Sequence, residues 1–294
     1  MSDPQSTAGA AIENELSTLS LVLLTVLAML AFAGNSLLCR LALRHTHIDP
    51  ASFTAARLLS GAAMLWLVVR IRGGAAPGRG NWPSALALLA YAAGFSFAYV
   101  DLSAATGALL LFGAVQATMI GVGLARGERL RALQVAGLLL ALGGLVWLVL
   151  PGLSAPPVAA ATLMAGAGVA WGVYSLRGQG SGDPTRVTAG NFLRAAPVAV
   201  AASLPWVLRM PLDVAGLGCA LASGALASGL GYAIWYSVVP ALKSTRAAVV
   251  QLCVPVIATL GGFAFLGEAI TTRLVLASAA ILGGIALVVA RRRT

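Results

Sequence analysis

An all-α integral membrane protein of ten transmembrane helices, written as two inverted five-helix repeats, is the architecture expected of this chain on three grounds. Composition is the first: 59% of the 294 residues are hydrophobic and 10% are charged, with a mean hydropathy of +0.91. Soluble domains carry about 25% charged residues, and too few are present here to coat one. Secondly, the polar residues cluster between apolar runs of roughly 20, the length that crosses a bilayer core as helix. Thirdly, the chain repeats itself. Gly267-Glu268, fourteen residues and then Gly283-Gly284 recur 140 positions earlier as Gly127-Glu128, fourteen residues and Gly143-Gly144. Nearer the front of each half, an offset of 137 places Arg40 on Arg177 and Arg57 on Arg194. Fixed-period similarity of this kind marks a repeat architecture.

Taken in order, residues 1–18 are polar and hold Asp3, Glu13 and Glu15 but no Lys or Arg. They read as a disordered tail, since a signal peptide needs a positive start. Five apolar runs follow, at about 19–43, 51–71, 83–100, 104–124 and 132–151, which make the first repeat, 19–151. Five more, at about 158–177, 185–208, 213–239, 245–267 and 270–290, make the second, 158–290, before a basic tail at 291–294. Pro50, Pro83, Pro157 and Pro184 stand near helix starts, where the missing N–H has no helical partner to lose. Arg72–Asn81 and Gly178–Pro184 are turn-rich, and Pro151–Pro157 is too short to link independent domains.

Positive charge sets the orientation. With the N-terminus inside, thirteen Lys and Arg fall at cytoplasmic ends (among them Arg70, Arg126, Arg177, Lys243 and Arg291–Arg293), against Arg40, Arg44, Arg209 and Arg273 outside. That excess predicts both termini in the cytoplasm. Five is odd, so the second copy enters the membrane upside down, with Glu128 facing the cytoplasm and Glu268 facing out. Inverted repeats are a signature of alternating-access transporters; duplication as a mere way to build a bundle is the competing explanation.

The candidate functional residues are of four kinds. Tyr91, Phe95 and Tyr99 recur every four residues on one helical face. Ser228, Tyr232, Trp235 and Tyr236 do similarly on the eighth helix, and Trp171 and Tyr174 on the sixth. An aromatic wall with sparse hydroxyls suits amphipathic metabolites, although aromatic belts and core packing produce similar patterns. Trp66, Trp82, Trp147 and Trp206 lie near helix ends and read as belt. Asn35, Gln116 and Gln251 sit deep in apolar runs, where facing lipid is costly, so they point inward, to substrate or to another helix. Arg57 and Arg194 are the charges placed well inside helices; their matching positions favour a structural role such as capping a helix end. Pro255, with Gly261-Gly262 after it, predicts a kink in the middle of the ninth helix. That kink and the loop Lys243–Thr245 before it, with Ser244, form the candidate gate, and Pro197 in the seventh helix fits a static bend equally well. Small residues at Gly143-Gly144, Gly283-Gly284, Gly166 with Gly168, and Gly224 with Ser228 let helices approach closely.

Other features limit the chemistry. The nine acids fall in tails, loops or helix ends, so no mid-membrane carboxylate carries a proton, and movement without obligatory proton coupling is expected. Cys39, Cys219 and Cys253 read as small buried residues, with neither a disulfide framework nor a metal site. His45 and His47 have no ligand cluster around them. A net charge of +10 is scattered over segment ends, which argues against nucleic acid as a partner. No cofactor or metal is called for.

The block AAVVQLCVPVIATLGGFAFLGEAITTRLVLASAAILGGIALVV from Ala247 resembles the C-terminal part of an EamA repeat of the drug/metabolite transporter superfamily. So does TGALLLFGAVQATMIGVGLARGERLRALQVAGLLLALGGLVWLV in the first half. Within the superfamily the chain looks most like YddG-type exporters of aromatic and other amino acids. The resemblance implies a bacterial inner-membrane exporter with a central cavity between its halves. One departure is that Pro255 is matched by Val115 in the first copy, so a gate built on that proline is asymmetric.

The leading expectation is therefore a non-enzymatic exporter of neutral amino acids and related metabolites. An exporter of drug-like toxic organic compounds is the alternative, disfavoured by the lack of an embedded anion. An intramembrane enzyme would need a nucleophile–base pair or metal ligands at depth, and the sequence offers no such motif. A membrane scaffold would need no central cavity. The expected partners are a small-molecule substrate and the lipid bilayer; a monomer suffices, and oligomers are not excluded.

Overall fold

A computed structural model describes residues 18–73, 80–127, 129–150, 152, 155–178, 182–208, 213–242, 247 and 250–289. These form ten helices, and no strand occurs among the described residues. They are α1 (Thr18–His45), α2 (Pro50–Ile71), α3 (Trp82–Tyr99), α4 (Ala104–Ala125), α5 (Ala132–Val149), α6 (Val158–Gly178) and α7 (Pro184–Val207). After them come α8 (Val214–Ala241), α9 (Cys253–Leu266) and α10 (Thr272–Val289). Eight are long and apolar enough to cross a membrane; α9 has 14 residues and α3, with 18, is less apolar. The tails, Glu128, Ser244 and the loop Lys243–Thr245 lie outside the described residues.

The helix starts follow from local chemistry. Asp49, Asn81, Ser103, Asp183 and Asp213 each accept from backbone N–H groups of the first turn, satisfying donors that the helix leaves unpaired. Asp213, in the loop before α8, accepts from Gly216 and also from His47, and these N–H groups hold its carboxyl below the usual range.

The bundle is built from extensive helix contacts, among them α2 against α8. α5 packs along α10, α2 along α7, α3 and α4 against α6, and α8 and α9 against α1. The α5–α10 seam depends on glycine: a Cβ on Gly137 would lie 2.6 Å from the Gly284 carbonyl oxygen, and one on Gly144 would lie 2.9 Å from Ala280 and Ile281. Gln134 adds a hydrogen bond of 2.9 Å to the Val288 carbonyl. The expected glycine pairs split, because neighbours in sequence point about 100° apart on a helix. Gly144, Gly168, Gly224 and Gly284 make the close approaches, whereas a Cβ on Gly143, Gly166 or Gly283 would meet nothing.

Three further expectations are corrected. Pro255 is the third residue of α9, and the chain breaks before it at Leu252. A proline cannot donate to the carbonyl four residues back, here that of Gln251, so the helix is interrupted there instead of bending in its middle. Cys253 is exposed while Cys39 is buried, so the cysteines do not share one environment. Finally, the paired arginines differ: Arg194 donates to the Gly190 carbonyl of its own helix at 2.9 Å, whereas Arg57 is enclosed among aromatic rings.

α8 is not uniform. Ser223–Leu230 is a π-helical stretch between α-helical ends. Residues five apart diverge by about 140° in an α-helix, but i→i+5 bonding brings them towards one face. Ser223 and Ser228, five apart, both reach inward: Ser223 donates to Asn35 Oδ1 at 2.7 Å, and Ser228 Oγ accepts from Arg57 Nε at 3.4 Å.

A candidate substrate cavity and its latch

A cavity of about 470 Å³ lies between α1, α3, α4, α6, α7 and α8. Nine of the ten residues expected to line one do so: Asn35, Tyr91, Phe95, Gln116, Trp171, Tyr174, Tyr232, Trp235 and Gln251. Tyr99 does not. Its ring is fully buried beyond the end of the cavity, in the place that Gly107 leaves open, and its hydroxyl donates to the Ala104 carbonyl at 3.2 Å. Helical spacing predicted its face correctly, since Phe95 and Tyr99 stack edge-on at 4.7 Å, but spacing carries no information about depth.

Trp171 is the centre of the wall. Its indole stacks on Tyr174 (5.2 Å, 25°) and on Tyr232 (5.3 Å, 20°) and tilts against Tyr91 at 4.8 Å. Phe32 extends the surface towards Trp235 at 6.0 Å. Polar groups punctuate the rings. Asn35 donates to the Tyr91 hydroxyl at 3.4 Å, Tyr174 donates to Thr188 at 3.1 Å, and Asn191 donates to Tyr174 at 3.4 Å. The side-chain amides of Gln116 and Gln251 have no hydrogen-bond partner among the described residues, which leaves both for a polar guest. No Asp or Glu lines the cavity, and no metal-holding group of His, Cys, Asp or Glu occurs among the described residues.

Several lining residues escaped the sequence reading. Asn191 and Thr188 on α7 are polar residues inside an apolar run, the criterion that selected Asn35 and Gln116, so their signal was present. Phe112 and Met119 lie four before and three after Gln116, on the face it defines. Arg177 lines the cavity beside Ser84 at 3.2 Å, and nothing in its position near a helix end distinguished it from the other terminal arginines.

The cavity extends to one end of the bundle, where Ser84, Gly178 and Pro184 mark helix termini on its lining. The opposite end is latched. Arg40 donates to Glu268 Oε1 at 3.1 Å and to the carbonyls of Tyr99 and Val100 at 3.0 and 2.8 Å. Glu268 in turn accepts from the Ala104 N–H, at 3.1 and 2.9 Å, at the start of α4, where the helix dipole favours an anion. The Gly-Glu pair has a clear reason. Gly267 adopts φ +62°, closing α9 with a left-handed cap, and this turns Glu268 back so that its N–H bonds the Gly262 carbonyl. Gly127 in the other copy has φ +90°. Neither Arg40, Glu268 nor Ala104 is on the lining.

Fold and cavity together define a polytopic helical membrane protein with an aromatic-walled cavity closed at one end. The pattern of the EamA-like transporter family matches residues 158–290. Uncharacterized protein PA1977 of Pseudomonas aeruginosa is 59% identical over 272 residues, covering 92% of this chain and 95% of that one. A protein of known crystal structure shares the fold with a TM-score of 0.65 at 24% identity, over 92% of this chain and 98% of the other. Residues 158–290 thus carry a domain of the EamA-like transporter family. A domain of that family implies a small-molecule substrate and membrane lipid.

Proposed function

We propose that this chain is a bacterial inner-membrane exporter of neutral amino acids, aromatic ones included, and related metabolites, working by alternating access. The observation that carries the reading is a cavity walled by aromatic rings and free amides, latched at one end and reaching the other. Flat apolar faces would take a side chain and the amides its polar groups. With the termini in the cytoplasm, as the charge distribution favours, the latched end is periplasmic and the cavity faces inward.

Two inverted halves, 19–151 and 158–290, are supported by the packing pattern. Exchanging each helix of the first five with the one five later maps α3–α6 and α4–α6 onto α8–α1 and α9–α1. The same exchange leaves α2–α7 and α5–α10 unchanged. It also carries Arg40 onto Arg177, so the outward-facing state would close the cytoplasmic end around Arg177. Pro255, at the break before α9, and Ser244 remain the candidate gate elements. Movement needs no obligatory proton coupling, a view supported by a lining without carboxylates. That same lining disfavours drug-like cations as substrates.

Counterflow tests the reading. Proteoliposomes preloaded with unlabelled phenylalanine should accumulate radiolabelled phenylalanine faster than empty ones, because a loaded carrier returns faster than an empty one. Equal rates would contradict alternating access with this substrate.

A further inference from the structure

A buried cation stands on α2, behind the cavity wall. Arg57 is 1% exposed. Its Nη2 donates to the Tyr91 hydroxyl at 2.9 Å and its Nε to Ser228 Oγ at 3.4 Å. The guanidinium lies 4.8 Å from the ring centroid of Phe95 and 5.2 Å from that of Tyr91. Tyr91, Phe95 and Ser228 all line the cavity, so the guanidinium sits one side chain behind its wall. Its Nη1 has no hydrogen-bond partner. The titratable side chains acting on it are Tyr91, Tyr232 and Cys39, none of them a carboxylate. Among the described residues the one ion pair is Arg40–Glu268, at the latch.

An enclosed cation without an anion, carrying an unpaired donor, is an unfavourable arrangement for folding alone. Intramembrane charges are kept where they meet a substrate or an ion. The surroundings do not follow automatically from the repeat, because Arg194, at the matching position, satisfies its Nη1 on a backbone carbonyl of its own helix. They are built by this half's aromatic face and by the π-helical turn that aims Ser228 at the guanidinium. A second cation, Arg177, stands at the far end of the lining, held by Ser84 and Asn81, and no acid residue opposes either arginine on the lining. One cation, Arg177, thus stands on the lining and another, Arg57, directly behind its aromatic wall.

We infer that Arg57 is the anion-recognition group of this cavity, and that the substrates are amphipathic organic acids or zwitterions bound through their carboxylate. The planar fork of a guanidinium matches a carboxylate and offers it more than one donor. The free Nη1 takes the carboxylate once the Tyr91 or Phe95 ring swings aside, and the apolar part of the substrate lies on Trp171, Tyr174 and Tyr232. The inference rests on the transporter reading and narrows its substrate class.

Binding to purified protein tests it, read from the fluorescence of the lining tryptophans. Four probes share one aromatic ring: phenylalanine, its amide, 3-phenylpropionate and phenethylamine. The two carboxylate-bearing probes should bind about 10- to 100-fold more tightly than the amide and the amine. Arg57→Met should abolish that preference, and Arg57→Lys should retain part of it. The comparison of probes on the unaltered protein holds even if Arg57→Met fails to fold. Equal binding of phenylalanine and its amide overturns the assignment while leaving the transporter reading intact, as does a preference that survives Arg57→Met. Binding of none of the four overturns both.

Discussion

Trp171 touches three tyrosine rings at once, and a substrate ring would meet its indole as part of the same stack. An aromatic contact contributes about 0.5–1.5 kcal/mol beyond its area, which is about two- to tenfold in affinity. Trp171→Ala should therefore weaken phenylalanine binding about five- to tenfold, and Trp171→Phe less, in an equilibrium binding assay. Unchanged affinity would remove the indole from the substrate surface. At this scale the sequence was informative where one residue type in an apolar run is physically expensive. Asn35, Gln116 and Gln251 declared themselves as inward-facing because lipid would leave them unsatisfied. Tyr99 misled because an aromatic residue is equally at home in a core, and four-residue spacing reports a face without its depth. Arg57 was visible as a charge, but its aromatic enclosure depends on α3 and α8, which meet it only in three dimensions.

Among the elements, the α5–α10 seam makes a sharp contrast between adjacent glycines. Gly284 faces the backbone of α5 in contact that leaves no room for a Cβ, whereas Gly283 faces open space. Gly284→Ala should cost about 1–3 kcal/mol through overpacking, and Gly283→Ala should be neutral or slightly stabilising, since alanine favours helix over glycine. Thermal unfolding in detergent reads both; a large loss for Gly283→Ala would place the seam elsewhere. The latch offers a native reporter, because Cys39 is next to Arg40 in sequence and fully buried. With Cys219 and Cys253 replaced by alanine, Glu268→Gln should loosen that end and speed maleimide labelling of Cys39 several-fold. No change in labelling would argue that the ion pair does not hold the end closed. Helix ends were legible because prolines and capping side chains fix them locally. The break at Leu252 and the π-helical turn at Ser223–Leu230 were not. The first displaces the kink three residues ahead of the proline expected to cause it, and the second has no local signature apart from its small residues.

The described residues form a ten-helix bundle whose apolar runs were countable in the sequence, since a bilayer imposes one length on every crossing segment. Which helices meet was not countable. The pairing of α2 with α7 and of α5 with α10 comes from packing, which hydropathy does not encode. The proposed function has this bundle move neutral amino acids down their gradients through the latched cavity. Uptake of radiolabelled phenylalanine, methionine and threonine into proteoliposomes, with and without an imposed pH gradient, tests it most directly. Uptake is expected to require the protein and to be indifferent to the pH gradient. Uptake only in the presence of the proton gradient would contradict the uncoupled mechanism, and no uptake of any of the three would contradict the amino acid reading itself.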